Sequence, residues 1–130
     1  MIRVDRLDHL VLTCRDVAAT IRFYTGVLGM REVTFGAGRK ALAFGQQKIN
    51  LHAVAGSGAD VAALPVAPTP GSADLCLVVT ESIDTIVAHL QRCGVAVHEG
   101  PVARTGALGP IMSVYIRDPD GNLIELSKYS

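Results

Sequence analysis

The chain contains no tryptophan and only three phenylalanines and three tyrosines, so broad platforms for stacking bases or flat aromatic ligands are scarce. It has no excess of either charge: 12 lysines and arginines balance 12 aspartates and glutamates. That balance provides no general attraction for phosphate backbones or anionic lipid, and neither a nucleic acid nor a membrane is expected as partner. No apolar run approaches the roughly 20 residues needed to cross a bilayer. The opening MIRVDRLDHL is charged where a signal peptide would be apolar, so a cytoplasmic location is expected. Cysteine is sparse, and Cys14, Cys76 and Cys93 form an odd set without zinc-like spacing. Reduced, mostly buried thiols are the expectation. A glycine-rich phosphate loop between strand and helix is missing, as is a nucleophile elbow.

What is present is one domain's length, 130 residues, 49% of them hydrophobic. Such a chain can build a core without disulfides or structural metal. Residues 7 to 13, LDHLVLT, are rich in strand formers, and Asp16 can cap a helix with Val17, Ile21, Tyr24 and Leu28 at helical spacing. Gly29 is placed to end it. Strands are predicted at 31–35, 40–44 and 48–54, separated by GAGR and GQQ turns. From Ala55 to Ser72 glycine, alanine and proline dominate, which predicts a connecting arm.

The order then repeats. ADLCLVV reads as a strand, Ser82 as the cap of a helix carrying Ile83, Ile86, Val87 and Leu90, and Gly94 as its end. Strands are predicted at 95–98, 111–116 and 123–127, with DPDGN as a turn before the last. His9 and Asp74 lie 65 residues apart, as do Gly29 and Gly94, and INL at 49–51 matches IEL at 124–126. The chain is therefore an internal duplication of a β-α-β-β-β unit, an α+β fold with module 1 at about 1–54, a linker at 55–72 and module 2 at 73–130. One helix covers only one face of a four-stranded sheet, and two such units would bend eight strands into a curved sheet around a cleft.

The duplication sets His9, Asp74, Asn50 and Glu125 at equivalent ends of the first and last strands of each unit, and His52 points the same way as Asn50. Imidazole and carboxylates form a ligand set suited to Zn, Fe(II), Mn or Ni; separate hydrogen bonding at the rim is the alternative. In the strand at 111–116, Ser113 and Tyr115 alternate with apolar neighbours, and the Tyr115 hydroxyl could stabilise an oxyanion or satisfy a core hydrogen bond. Arg104 falls in the predicted loop ARTGALGP, where a guanidinium could reach a substrate carboxylate or remain solvated. His89 and His98 are assigned to surface or packing, and Phe23 and Tyr24 to the core.

The runs LDHLVLTCRDVAATIRFYTGVLGM and YIRDPDGNLIELS resemble the vicinal-oxygen-chelate superfamily, which includes glyoxalase I, extradiol dioxygenases and the fosfomycin and bleomycin resistance proteins. Through FGQQKINLH, ADLCLV and GPVARTGALGPIMSVYIRDPDGN the chain is most similar to the glyoxalase-domain-containing protein 5 group. The resemblance implies paired modules forming a cup around a divalent metal that holds two adjacent substrate oxygens. It implies ligands at His9 and Glu125. Asp74 stands where the family commonly carries histidine, which favours harder cations. Asn50 occupies the fourth position, with His52 as a possible substitute ligand.

Two functions follow as expectations. In the first, a metal-dependent lyase or isomerase acts on a small oxygenated molecule: His9, Asp74, Glu125 and His52 hold the ion, Glu125 and Tyr115 are catalytic, and Arg104 and Ser113 bind substrate. In the second, a metal-free cleft sequesters a small molecule as bleomycin resistance proteins do; an extradiol dioxygenase is a further alternative. The resemblance also implies a homodimer.

Overall fold

The computed structural model describes residues 1–54 and 64–130. The chain divides into two compact units, Met1–Pro70 and Gly71–Ser130. The first holds β1 (His9–Cys14), α1 (Val17–Gly26), β2 (Arg31–Phe35), β3 (Arg39–Phe44) and β4 (Gln47–Ala53). The second holds β5 (Asp74–Val78), α2 (Ile83–Arg92), β6 (Glu99–Gly106), β7 (Gly109–Arg117) and β8 (Leu123–Tyr129). The predicted connecting arm falls largely on residues 55–63, outside the described residues; from 64 to 73 there is neither helix nor strand.

Each unit has a four-stranded mixed sheet, ordered β1-β4-β3-β2 in the first and β5-β8-β7-β6 in the second, so the eight strands are hydrogen-bonded as two sheets of four. First and last strands pair in parallel, as a β-α-β crossover requires, and the remaining pairs are antiparallel. The registers repeat between the units. His9 pairs with Lys48 and Val11 with Asn50; correspondingly Asp74 pairs with Leu123 and Cys76 with Glu125. The equivalences drawn from spacing, His9 with Asp74 and Asn50 with Glu125, are thus equivalences of strand register.

Alternation sorts each sheet into an apolar face against the helix and a polar face away from it. Leu12, Cys14, Leu42, Ile49 and Leu51 are buried in the first unit alongside Tyr24 of α1. In the second, Val114, Ile116, Ile124 and Leu126 are buried alongside Ile86 and Leu90 of α2. The capping residues read from the sequence hold: the Asp16 side chain accepts from the Ala19 N–H at 3.1 Å and the Ser82 hydroxyl from the Thr85 N–H at 3.2 Å.

The helix ends differ. At α2, the Val95 N–H bonds to the Leu90 carbonyl and the Gly94 N–H to that of Gln91, with Gly94 at φ +70°, the glycine stop in its usual position. In α1 the helix ends at Gly26, capped by Val27, three residues before Gly29. The Met30 N–H reaches back to the Tyr24 carbonyl, so Gly29 closes a wider turn and not the helix itself.

Two further expectations are corrected. The strand predicted at 95–98 lies instead at 99–106, and Arg104 is a strand residue, not a loop residue. The glycines of ARTGALGP flank a hairpin: Gly106 pairs with Gly109, leaving a two-residue turn. The register shift between Glu99 and Val102 accommodates Gly100 and Pro101. A Cβ on Gly100, whose φ is +107°, would sit 2.5 Å from the Ser113 carbonyl oxygen, so only glycine fits. The thiols are the second correction: all three are free, but only Cys14 is buried while Cys76 and Cys93 are exposed. Cys76 lies on the polar face of an edge strand, which no helix covers.

Candidate functional site

In the second unit the parity of β5, β7 and β8 brings Cys76, Glu125, Ser127, Ser113 and Tyr115 onto one face. Ser113 and Ser127 are fully buried there. The Ser113 hydroxyl donates to Glu125 Oε2 at 2.6 Å, and the Ser113 and Ser127 oxygens lie 2.7 Å apart. Ser127 Oγ is 3.3 Å from the same carboxylate oxygen, and Cys76 Sγ is 3.2 Å from Ser127 Oγ. Each hydroxyl has one hydrogen to give, and the distances order the donors: thiol to Ser127, Ser127 to Ser113, Ser113 to Glu125. Although Cys76 is exposed as a residue, partial desolvation of its thiol raises it above its ordinary pKa; the Ser127 hydrogen bond opposes this, and the Glu125 and Asp74 charges add to the rise. The protonated thiol is the form that can donate.

This chain fixes one carboxylate oxygen of Glu125 from behind. Beside it, Tyr115 pairs with Glu125 across β7 and β8. Arg104 donates from Nε to the Tyr115 hydroxyl at 3.0 Å and from Nη2 to Glu99 Oε2 at 3.0 Å. Because the Tyr115 oxygen accepts from Arg104, its own hydrogen is left to donate elsewhere. Asp74 shares the face with Cys76 two residues along β5 and is exposed.

In the first unit, His9, Asn50 and His52 share the face away from α1. His9 is exposed, and its Nδ1 lies 2.8 Å from Asp8 Oδ2, a hydrogen bond that holds the Asp8 carboxyl below its ordinary pKa. His52 is buried; burial first, and the Arg39 charge second, lower its imidazole from the usual 6.5. Asn50 Oδ1 and His52 Nε2 are buried without a hydrogen-bond partner among the described residues.

These placements test the expected metal site. His9 aligns with Lys48 and His52 with Thr13, four residues further along the parallel pair. At about 3.3 Å per residue they are separated by roughly 13 Å of strand, too far for two imidazoles to grip one ion at ~2.1 Å each. His52 therefore does not complete a ligand set with His9. Among the described residues no group of three or more His, Cys, Asp or Glu side chains could hold an ion.

Sequence reasoning picked out Glu125, Ser113, Tyr115 and Arg104, and the second unit places all four on its polar face. It missed Ser127, Cys76 and Glu99. Ser127 and Cys76 were accessible by parity, since each stands two residues from a residue already singled out; Glu99 was hidden by the misplacement of β6.

The family model described as Glyoxalase/Bleomycin resistance protein/Dioxygenase superfamily matches residues 6–126. Virulence protein STM3117 of Salmonella typhimurium is 56% identical over 97% of this chain and 85% of its own length. Its crystal structure superposes with a TM-score of 0.95 at 53% identity, covering 99% of this chain and all of that one. Glyoxalase domain-containing protein RDO1 of Mycosarcoma maydis is 58% identical over 97% of this chain and 69% of its own length. Two more distant structures, each 24% identical, share the fold: a lactoylglutathione lyase from Agrobacterium tumefaciens (TM-score 0.74, 97% of this chain and 95% of that one) and the antibiotic-binding protein TnmS3 from Streptomyces sp. CB03234 (TM-score 0.75, all of both chains). With the duplicated units, the repeated registers and these matches across nearly its whole length, the chain belongs to the glyoxalase/bleomycin resistance protein/dioxygenase superfamily.

Proposed function

We propose that the protein is a lyase or isomerase that moves a proton on a small oxygenated substrate, with Glu125 as the proton-transferring group. The observation that carries the reading is the fixation of one Glu125 oxygen by the buried Ser113 hydroxyl, itself backed by Ser127. A cation paired with this carboxylate would cancel its charge. The carboxylate is held instead by neutral hydroxyls, which orient it without cancelling its charge. Tyr115, accepting from Arg104, is the donor for an oxyanion that develops as the proton leaves, and Arg104 reaches the substrate with the N–H groups that Tyr115, Glu99 and the Ala103 carbonyl do not occupy. Ser113 acts on Glu125 and not on substrate, because it is buried and its hydrogen is already committed.

The second reading, a binder that holds its ligand unchanged, is favoured by the lack of a three-donor metal group among the described residues. A screen of α-oxo and α-hydroxy compounds with the wild-type chain, Glu125→Gln and His9→Ala, alongside metal analysis of each preparation, separates the two. The enzyme reading expects turnover that Glu125→Gln abolishes. Stoichiometric ligand binding with no turnover, unchanged in Glu125→Gln, supports the binder and overturns the enzyme. Turnover lost together with bound metal in His9→Ala would return the ion to the mechanism.

A further inference from the structure

The duplicated registers make Asn50 the counterpart of Glu125 and His52 the counterpart of Ser127. Carrying the antiparallel register of β3 and β4 one step beyond Lys40 and Leu51 sets Arg39 opposite His52, as Ser113 stands opposite Ser127. In the second unit the three residues satisfy one another. In the first they do not: Asn50 Oδ1 and His52 Nε2 are buried without partners among the described residues, and Asn50 is only 5% exposed. A buried polar atom left unpaired costs about 1–3 kcal/mol, so two neighbours on one sheet face call for a partner from outside.

The surroundings define that partner. The Arg39 guanidinium lies 4.7 Å and the Lys48 ammonium 3.6 Å from the centroid of the Phe35 ring, and the three share the face of Asn50 and His52. No strand position on this face of the first sheet is Asp or Glu. Glu32 lies on the opposite face, where it pairs with Lys40, and Asp8, whose carboxyl senses Lys48, is engaged by His9. Two cations held on an aromatic ring, with no carboxylate bonded to either among the described residues, select an anion. Asn50 Oδ1 can only accept, so the anion must also bring a donor.

We propose that this face of the first unit is a binding site for a small hydroxy acid, with Arg39 and Lys48 taking the carboxylate and Asn50 Oδ1 accepting from the hydroxyl. The proposal goes beyond the functional reading above and does not rest on it. His52 donates to the second carboxylate oxygen in the tautomer that carries its proton on Nε2.

The test uses three probes on the full ¹⁵N-labelled chain by NMR titration: lactate, propionate, which lacks the hydroxyl, and 1,2-propanediol, which lacks the charge. Lactate is expected to shift the Asn50 side-chain amide and His52 signals and to bind about fivefold tighter than propionate and tenfold tighter than the diol. Arg39→Gln and Lys48→Gln should each weaken lactate about fivefold or more, and Asn50→Ala should erase the preference for lactate over propionate. Arg22→Ala, on the helix covering the other face, is the control and should change nothing. Equal affinity for the three probes, shifts confined to other residues, or Arg39 and Lys48 variants that bind lactate normally would overturn the proposal. The titration is repeated after EDTA treatment: retained binding supports the cluster, whereas loss with metal removal assigns the anion to an ion and overturns it. Because no turnover is measured, lactate binding with an inactive Glu125 fails the enzyme reading alone, while turnover without shifts at Asn50 and His52 fails this site alone.

Discussion

Ser113 has no exposed surface and a single hydrogen to give, and that hydrogen lies on the line to Glu125 Oε2 at 2.6 Å. Removing the hydroxyl leaves the carboxylate oxygen and Ser127 short of a partner, for which Ser113→Ala should lower unfolding free energy by about 1–3 kcal/mol. Urea denaturation measures this directly, and a loss below a few tenths would show that the hydroxyl bears no strain. His52 supplies a second prediction at this scale. Its imidazole is held below the usual 6.5 by burial and by Arg39, so the folded chain binds fewer protons than the unfolded one in the window beneath that value. Stability attributable to His52 is complete above about pH 6.5 and falls as pH drops toward the lowered folded value. Unfolding curves at about pH 5 and 7.5 should therefore differ more for the wild-type chain than for His52→Gln; equal differences would contradict the assignment.

Among the elements, α2 is the most fully specified by local chemistry, with Ser82 at its start and Gly94 at its end. Ser82→Ala and Gly94→Ala should each cost about 1 kcal/mol, the first through an orphaned N–H and the second through a positive φ. Gly100→Ala should cost more, because its Cβ would meet backbone that cannot swing away. Thermal melts of the three variants would order these effects. The same local chemistry explains what could be read from sequence. Arg31–Phe35 was placed correctly because strand formers stand between glycine turns. β6 was not, because glycine and proline in GPVARTGALGP signal a loop while their actual roles, a bulge and the flanks of a hairpin, depend on pairing with β7. Pairing is a tertiary fact that composition does not carry.

For the molecule as a whole, the internal repeat was legible from the 65-residue offset and led to the fold, the order of elements along the chain and residues that share a polar face. What spacing could not show was which copy of the repeat satisfies its own polar groups, since that depends on burial and on hydrogen geometry. Each sheet has β1 or β5 at an edge, and these edges carry exposed valines, Val11 at 37% and Val78 at 62%. Apolar side chains on an unpaired edge favour association. Sedimentation equilibrium at micromolar concentration should give twice the 13.7 kDa chain mass, and the chain mass alone would contradict a homodimer.

The most direct test of the central claim, that Glu125 moves a substrate proton, is solvent deuterium exchange. Small α-hydroxy and α-oxo acids are incubated with the protein in D₂O and the loss of the α-proton signal is followed by NMR. The wild-type chain should exchange at least one of them, and Glu125→Gln should slow that exchange by about 10²–10⁴-fold. An unchanged rate in Glu125→Gln would contradict the account.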